Sequence, residues 1–427
     1  MLLIKNGYLI DPKSNRKGIF DILIDNDRIR KIDPFITSID LTDEEKDNLE
    51  IIYVDNMMIA PGLVDVHVHF RDPGFTHKED IYTGAQAAAK GGFTTVVLMA
   101  NTKPVVDNEE TLQYVIDRGS ETDIHVLTCA TITKELAGKE LTDMENLKKL
   151  GAVGFTDDGI PLLDENLVIT AMEKAKKLDV PLSFHEENPE LITNNGIHHG
   201  KASQHYDIEG SPRSAEIDLI YRDLELARQT GATINIQHIS TKEGVELVRQ
   251  VKEECPNIHA EATPHHFSLT EEATIKYGTL AKMNPPLRTE QDRQAIIEGL
   301  KDNTIDIIAT DHAPHSTEEK NKPITEAPSG IIGLETALPL GITNLVKAGH
   351  LSYLELIEKM STNPAELYHL DCGYLAEGGP ADIVIFSESS NTFNEFVSKS
   401  ENSPFKGQTL RGEIQYTICG GKIVYKK

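Results

Sequence analysis

Long apolar runs, paired cysteines and an excess of positive charge are all missing from this 427-residue chain. No apolar run approaches the length that crosses a bilayer, and the N-terminus lacks the basic and then apolar layout of a signal peptide. The four cysteines lie far apart, which is typical of reduced thiols rather than of a disulfide frame or a zinc knuckle. We therefore expect a cytoplasmic protein with no membrane partner.

The formal net charge is −26, from 68 acidic and 42 basic side chains. Such a charge argues against nucleic acid as a partner, because the phosphate backbone would be repelled. Its ordinary consequence is solubility. An anionic small molecule would need a local cluster of positive charge to bind here.

The two ends of the chain share a pattern of short strand-like pieces separated by Asn-Gly, Asp-Asn and Gly-Gly turns. Residues 1–56 and 373–427 are therefore predicted to form one composite β-sandwich domain. Residues 57–372 would form the second domain, with hinges near residues 60–62 and 377–380.

Eight short apolar runs alternate with amphipathic helical segments in this central part. Alternation of strand and helix predicts a parallel sheet, and eight repeats over this length predict a (β/α)8 TIM-type barrel in an α/β fold. The eight runs are Leu63–Val68, Thr94–Met99, Ile124–Cys129, Ala152–Phe155, Pro181–Phe184, Thr233–Gln237, His259–Ala262 and Asp306–Ala309.

The first of these runs ends in His67 and His69, which are followed by Arg71. Side chains two residues apart on a strand project from the same face, so the two imidazoles point into one space. Two converging histidines form half of a metal site. Arg71 would place a guanidinium beside it, where an anionic group can be held by paired hydrogen bonds.

Ligand-type side chains follow several of the other runs, where a barrel carries its catalytic groups. They are Asp157 or Asp158 after the fourth run, His185 after the fifth, His238 after the sixth and Asp311 after the eighth. Together with His67 and His69 they suffice for two divalent ions. Imidazole and carboxylate donors favour zinc, with cobalt or manganese as alternatives, and two such ions are typical of a hydrolase acting on an amide or related carbonyl.

The barrel segments resemble the amidohydrolase superfamily and, within it, the dihydroorotase family of the bacterial type I kind. The resemblance extends from about Lys5 to Lys422. The segments that carry it are Asp65–Gly74, Met99–Pro104, Phe155–Gly159, Gln237–Lys242, Ala262–His266, Met283–Arg288 and Ile308–His315.

This resemblance implies a role for each ligand-type residue. His67 and His69 would bind the first zinc ion beside Asp311, and His185 and His238 the second. Asp158 and a hydroxide would bridge the two ions, since no lysine stands here to be carbamylated as in many amidohydrolases.

The implied reaction is the reversible cyclisation of N-carbamoyl-L-aspartate to L-dihydroorotate and water, a step of pyrimidine biosynthesis. The bridging hydroxide would be the nucleophile, and Asp311 the general base and then acid. The implied substrate contacts come from His69, Arg71, Asn101, Asn284 and His315, and from the backbone of Ser329 and Gly330.

Two other functions compete with this interpretation. The first is another cyclic-amide hydrolase, a hydantoinase or an allantoinase, although these generally use the lysine bridge. The second is a non-catalytic scaffold for aspartate transcarbamoylase, although scaffolds of that kind have lost metal ligands. We expect a homodimer, and association with aspartate transcarbamoylase is left open.

Overall fold

The structure is a computed structural model that describes residues 1–37 and 41–427. It is a mixed α/β fold in which parallel strands occupy the centre and a mostly antiparallel sheet is built from the two ends of the chain. In the described residues, no helix combines the length and the apolar character needed to span a membrane.

The terminal sheet contains eight strands, five from the start of the chain and three from its end. Its order is β16-β15-β14-β5-β1-β2-β3, and β4 also pairs with β1. The strands are β1 (Leu2–Asp11), β2 (Arg16–Asp25), β3 (Arg28–Asp33), β4 (Glu50–Tyr53), β5 (Met58–Pro61), β14 (Ile383–Thr392), β15 (Thr409–Cys419) and β16 (Lys422–Lys426). The link between the two ends is the antiparallel pair β5–β14, in which Pro61 lies opposite Ile383.

Eight parallel strands form the centre, in two sheets of order β6-β7-β8 and β13-β12-β11-β10-β9. They are β6 (Leu63–Val68), β7 (Phe93–Leu98), β8 (His125–Thr128), β9 (Phe155–Thr156), β10 (Leu182–Phe184), β11 (Ile234–Ile236), β12 (Ile258–Ala262) and β13 (Ile307–Ile308). Isolated parallel bridges join the two sheets at both ends, between Ala130 and Phe155 and between Val68 and His312.

Helices follow most of the central strands. They are α1 (Asp43–Asp47), α2 (Ile81–Gly91), α3 (Glu109–Ser120), α4 (Met144–Leu150), α5 (Glu165–Leu178), α6 (Lys201–Tyr206), α7 (Ser214–Thr230), α8 (Lys242–Lys252), α9 (Pro264–Ser268), α10 (Glu271–Tyr277), α11 (Glu290–Lys301), α12 (Thr317–Lys320), α13 (Ala337–Gly341), α14 (Tyr353–Ile357) and α15 (Asn363–Leu367).

Local sequence explains where these helices begin and end. Asp80 caps α2 by accepting a hydrogen bond from the Thr83 amide, and Gly92 ends it in the left-handed region at φ 90°. Asp164 caps α5 in the same way. Residues 69–80 and 157–164, which precede these two helices, follow the carboxyl ends of β6 and β9.

The core follows the same division of the chain. One large apolar cluster joins the central strands to the surrounding helices, and a separate cluster fills the space beneath the terminal sheet. All six residues of β6 are buried, as expected for a parallel strand covered on both faces. A rigid, close-packed interior therefore holds the strand ends that carry the polar side chains.

Candidate metal centre

Six ligand-type side chains meet at the carboxyl ends of the central strands. All six are buried within the fold. They are His67 on β6, His69 just after β6, Asp158 after β9, His185 after β10, His238 after β11 and Asp311 after β13. The positions predicted from the sequence for these six residues are thus brought together in one place.

His67 and His69 present one ring nitrogen each to this place. The Nδ1 of His67 lies 2.5 Å from Glu261 Oε1, and the Nδ1 of His69 lies 3.0 Å from Asn101 Oδ1. These oxygens accept from the Nδ1 atoms, so each Nε2 is directed at the carboxylates of Asp158 and Asp311. Oriented imidazoles of this kind are typical of metal-binding histidines.

Asp158 lies at the middle of the cluster. Its Oδ1 is 3.5 Å from His67 Nε2 and 3.6 Å from His185 Nδ1, and its Oδ2 is 3.5 Å from His69 Nε2. Although burial raises it, the facing histidines hold the pKa of Asp158 well below its usual range. Asp158 is therefore an ionised carboxylate shared by both halves of the site.

Asp157 faces away from the cluster. It accepts hydrogen bonds from the backbone amides of Ile132 and Thr133 and from the Thr133 hydroxyl. The sequence alone left the choice between Asp157 and Asp158 open on the alternation of side chains. In the structure Asp158 is the one that points into the cavity.

His185 and His238 form the other half of the cluster. The Nδ1 of His185 lies 2.9 Å from Nε2 of His238, and both nitrogens face Asp158 Oδ1, at 3.6 and 3.8 Å. The opposite nitrogen of His185 lies 3.4 Å from Glu187 Oε2. The two imidazoles and the Asp158 carboxylate form one of the groups whose candidate ligand atoms lie within 4.8 Å of one another.

Asp311 completes the cluster beside His69. Its Oδ1 is 3.0 Å from His69 Nε2 and 3.6 Å from His67 Nε2. Burial raises the pKa of Asp311, but the neighbouring histidines outweigh it and hold this pKa below its usual range. The carboxylate is ionised at neutral pH and can accept a proton.

The backbone is strained at three of these positions. Arg71, His238 and Asp311 have φ values of 59°, 32° and 48°, a region that residues with a side chain rarely adopt. Asp65 helps to hold the first and last central strands together, since it accepts hydrogen bonds from the amides of His67 and Thr310. The surrounding core therefore fixes a local geometry that the chain would otherwise avoid.

The donor set fits a metal. Among residues 1–37 and 41–427, His67 Nε2 has no hydrogen-bond partner although it is fully buried, which is costly unless an ion takes its lone pair. The candidate ligand atoms fall into overlapping groups within 4.8 Å, two of which share Asp158. Those groups are His67 with His69 and Asp158, His67 with His238 and Asp311, and Asp158 with His185 and His238.

A cleft of about 410 Å³ opens from this cluster toward solvent. Arg71 lies on its wall, donates through Nε to Pro314 O at 3.2 Å and places Nη2 3.3 Å from His315 Nε2. His315 Nε2 lies 2.8 Å from Ser329 O, a pure acceptor, so this nitrogen carries the proton. Burial lowers the pKa of His315, and the charges of Arg71, Lys320 and Lys78 lower it further. The ring is neutral beside a fixed cation.

Comparison with known proteins decides the family. A family model described as Dihydro-orotase-like matches residues 56–244. A dihydroorotase from Clostridioides difficile (strain 630) is 57% identical over 426 residues, and one from Clostridium acetobutylicum is 54% identical over 429, each match covering 100% of both chains. The chain belongs to the dihydroorotase family.

Solved structures agree on the fold. The L-hydantoinase (dihydropyrimidinase) from Arthrobacter aurescens superposes with a TM-score of 0.88 at 25% identity, covering 100% of this chain and 96% of that one. The dihydropyrimidinase from Brevibacillus agri NCHU1002 reaches 0.85 at 20% identity, covering 99% of this chain and 95% of that one. At this lower identity the likeness places the chain among amidohydrolase folds.

Asn101 and Asn284, predicted as substrate contacts of a dihydroorotase, both line the cleft. Asn101 donates to Asp158 Oδ2 at 3.0 Å in addition to its contact with His69, so in the structure it orients two candidate ligands. Asn284 Nδ2 lies 3.5 Å from His185 Nε2, and its Oδ1 is buried without a partner.

Sequence reasoning missed three residues around the centre. Glu261 holds His67, and its signal was a lone carboxylate inside the otherwise apolar segment of β12. Glu187 lies beside His185 and had no signal beyond its position two residues later. Lys282 lines the cleft although it precedes the recognised Asn284 motif.

Proposed function

We propose that this protein catalyses the reversible conversion of L-dihydroorotate and water to N-carbamoyl-L-aspartate. The observation that supports it best is the cleft itself. It contains a shared aspartate between two histidine groups, the ionised carboxylate of Asp311 and a cation at Arg71, in a chain 57% identical over its full length to a named dihydroorotase.

We propose zinc as the metal, with two ions that share Asp158. His67, His69 and Asp311 would hold one ion, and His185 and His238 the other, since imidazole and carboxylate donors suit zinc. When bound, the ions would supply an acidified water and polarise the ring carbonyl.

Asp311 moves the proton in this proposal. For ring opening, the water oxygen forms a bond to the carbonyl carbon and the carbon–nitrogen bond of the ring breaks. Asp311 accepts the proton of the water and returns it to the leaving nitrogen. In the direction of cyclisation the same carboxylate takes the proton from the ureido nitrogen and releases it with the departing water.

The other end of the cleft suits the carboxylate of the substrate. Arg71 provides a guanidinium, and the neutral His315 and the Ser329–Gly330 turn lie beside it. An anionic substrate that approaches a protein of charge −26 needs such a local cation. We propose that these groups bind the carboxylate while Asn284 contacts the ring.

We propose in addition that the eight central strands close into a (β/α)8 barrel within residues 57–372. The bridges Ala130–Phe155 and Val68–His312 support closure, because they connect the two central sheets at both ends. Residues 1–56 and 373–427 would then form the smaller β-sandwich domain, as their shared sheet and separate apolar cluster suggest.

The test is a turnover assay with the metal content measured on the same sample. We expect the purified protein to carry up to about two zinc ions per chain and to convert L-dihydroorotate with loss of its ultraviolet absorbance. Hydantoin and dihydrouracil serve as control substrates, because the solved structures of similar fold include hydantoinases. Turnover of hydantoin without turnover of dihydroorotate, or no turnover at all, would reject the proposal.

A further inference from the structure

One loop of the cleft is held from behind by several buried side chains. This loop, the pocket turn, consists of residues 324–330 and includes the Ser329–Gly330 turn. The carbonyls of Ile324, Ala327, Pro328, Ser329 and Gly330 each accept a hydrogen bond from a side chain of another segment or helix. Irregular loops rarely have so many of their carbonyls bound to side chains.

Two lysines make most of these contacts. Lys282 Nζ donates to Ile324 O at 2.8 Å and to Ala327 O at 2.7 Å. Lys320 Nζ donates to Pro328 O at 2.8 Å and to Gly330 O at 3.0 Å. Both residues are 2–3% exposed. Such burial of a lysine is rare unless a specific partner holds it.

Neither ammonium has a carboxylate partner among residues 1–37 and 41–427. Glu319 is the nearby acid, but it forms an ion pair of 2.8 Å with Lys78. Burial lowers the pKa of Lys282 to about 8, and burial with the charge of Lys282 lowers that of Lys320 to about 7. The two amino groups thus lie behind the turn with carbonyl oxygens as their hydrogen-bond partners.

Asn402 completes the support from the C-terminal segment. Its side-chain amide donates to Ala313 O and Gly330 O and accepts from the His315 amide, at 3.0–3.1 Å. Gly330 fits here because its φ is +115° and a Cβ would lie 2.6 Å from the Cβ of Ala313. The pocket turn is therefore fixed against the loop that carries His315.

This arrangement leaves donors free on the other side of the turn. In a trans peptide the carbonyl and the N–H point in opposite directions, so the Ser329 N–H points away from Lys320. It donates to no group in the part of the chain that the structure describes. The Ser329 hydroxyl is also buried without a partner. Two donors without a partner in the described residues thus belong to a turn that lines the same cleft as His315 and Arg71.

We propose that Lys320 and Lys282 are positioning residues for an anionic substrate. They hold the pocket turn so that the Ser329 N–H faces the substrate carboxylate. The inference rests on the proposed function and adds to it two residues outside the metal centre that favour an anionic substrate. It predicts an effect on substrate binding rather than on the chemical step.

The experiment compares Lys320→Met, Lys320→Gln and Lys282→Met with the wild-type holoenzyme. Loss of two charge-assisted hydrogen bonds predicts that Lys320→Met raises the KM for L-dihydroorotate by about tenfold, with kcat within about twofold. Lys320→Gln keeps donors but no charge, so its KM should rise by about threefold. Lys282→Met is measured in parallel, so that a Lys320 variant that does not fold leaves the test intact.

Lys359→Met is the matched control. Lys359 is 1% exposed and donates to Asn303 Oδ1 and Ile305 O, before β13 and away from the cleft. We expect it to lower the thermal midpoint while leaving KM unchanged. A KM within twofold of wild type in folded Lys320 and Lys282 variants would overturn the inference, as would an equal rise in Lys359→Met. Absence of turnover in the wild type would instead reject the proposed function, and this inference with it.

Discussion

Asp311 is the residue on which the proposed proton transfer depends. It is ionised, buried and 3.0 Å from His69, and it lies at the rim of the cleft. We expect Asp311→Asn to lower kcat for dihydroorotate by at least about a hundredfold, because an amide cannot accept the proton. The measurement is kcat from steady-state kinetics, on wild-type and variant protein of measured zinc content.

Asp157→Asn is the control for that measurement. Asp157 is as buried as its neighbours, but its hydrogen bonds go to the backbone and hydroxyl of another loop. This variant should keep kcat within about threefold, since it touches no reacting group. If Asp311→Asn keeps its activity, or if both variants lose it equally, the assigned proton transfer is wrong.

For single residues, the sequence predicts which residue types form the site but not how their side chains are oriented. His67 and His69 were placed on one face by the two-residue period of a strand. The same argument could not choose between Asp157 and Asp158, because the chain leaves β9 after Thr156 and alternation ends there. Lys282 and Lys320 gave no signal, since a buried lysine looks like a surface lysine until its partners are known.

At the scale of elements, apolar runs predicted where the central strands lie better than where they end. The run Leu63–Val68 coincides with β6, and the others overlap their strands. The fourth run, Ala152–Phe155, contains only the first residue of β9, which is Phe155–Thr156. A two-residue strand is defined by its neighbours, and a sequence pattern does not contain that information.

The hinge expected near residues 60–62 is in fact partly a strand. Ala60 and Pro61 belong to β5, which pairs with β14 across nearly the whole sequence. Pairing of this kind depends on partners more than 300 residues away and leaves no local signature.

Asp306 joins two of the central elements and makes a prediction about pH. It accepts hydrogen bonds from His259 Nδ1 at 2.7 Å, from the Ala260 amide and from Lys252. Burial raises its pKa, but His259 and Lys252 outweigh this and lower it to about 2. A carboxyl whose pKa is depressed on folding stabilises the protein above its unfolded pKa, near 4.

We therefore expect Asp306→Asn to lower the free energy of unfolding by about 2 kcal/mol at pH 7. The difference should shrink as the pH falls below about 4, because the wild type then loses the same charge. Urea unfolding of both proteins at pH 7, 5 and 3 measures it. The exposed Glu298, paired with Lys301, gives the comparison variant Glu298→Gln, which should change little at any pH. If Asp306→Asn lowers the free energy of unfolding by the same amount at all three pH values, the depressed pKa of Asp306 is not the cause.

At the scale of the whole molecule, the folded chain gathers donors that the unfolded chain keeps far apart. The candidate ligands extend from His67 to Asp311, and His67 Nε2 has no hydrogen-bond partner. A metal that binds only the folded state adds to its stability by mass action. Zinc at about a hundred times its dissociation constant should add about 2.7 kcal/mol.

We expect chelated protein to unfold several degrees lower than the same protein with zinc restored. Magnesium, which prefers oxygen ligands, should restore much less. His185→Ala with His238→Ala should reduce the effect of zinc, because one half of the site is gone. An unchanged thermal midpoint on adding zinc to chelated protein would argue against a metal centre at these residues.

The hydrogen bonds of Asn402 have a consequence for the order in which the parts of the site are completed during synthesis. The first candidate ligands, His67 and His69, leave the ribosome early, whereas the side chain that fixes the His315 loop against Gly330 lies 91 residues after Asp311, the last candidate ligand. A nascent chain that stops before Asn402 would contain every candidate metal ligand and still lack the anchor of its pocket turn. Synthesis of the candidate metal ligands would then precede synthesis of the side chain that anchors the substrate-binding turn.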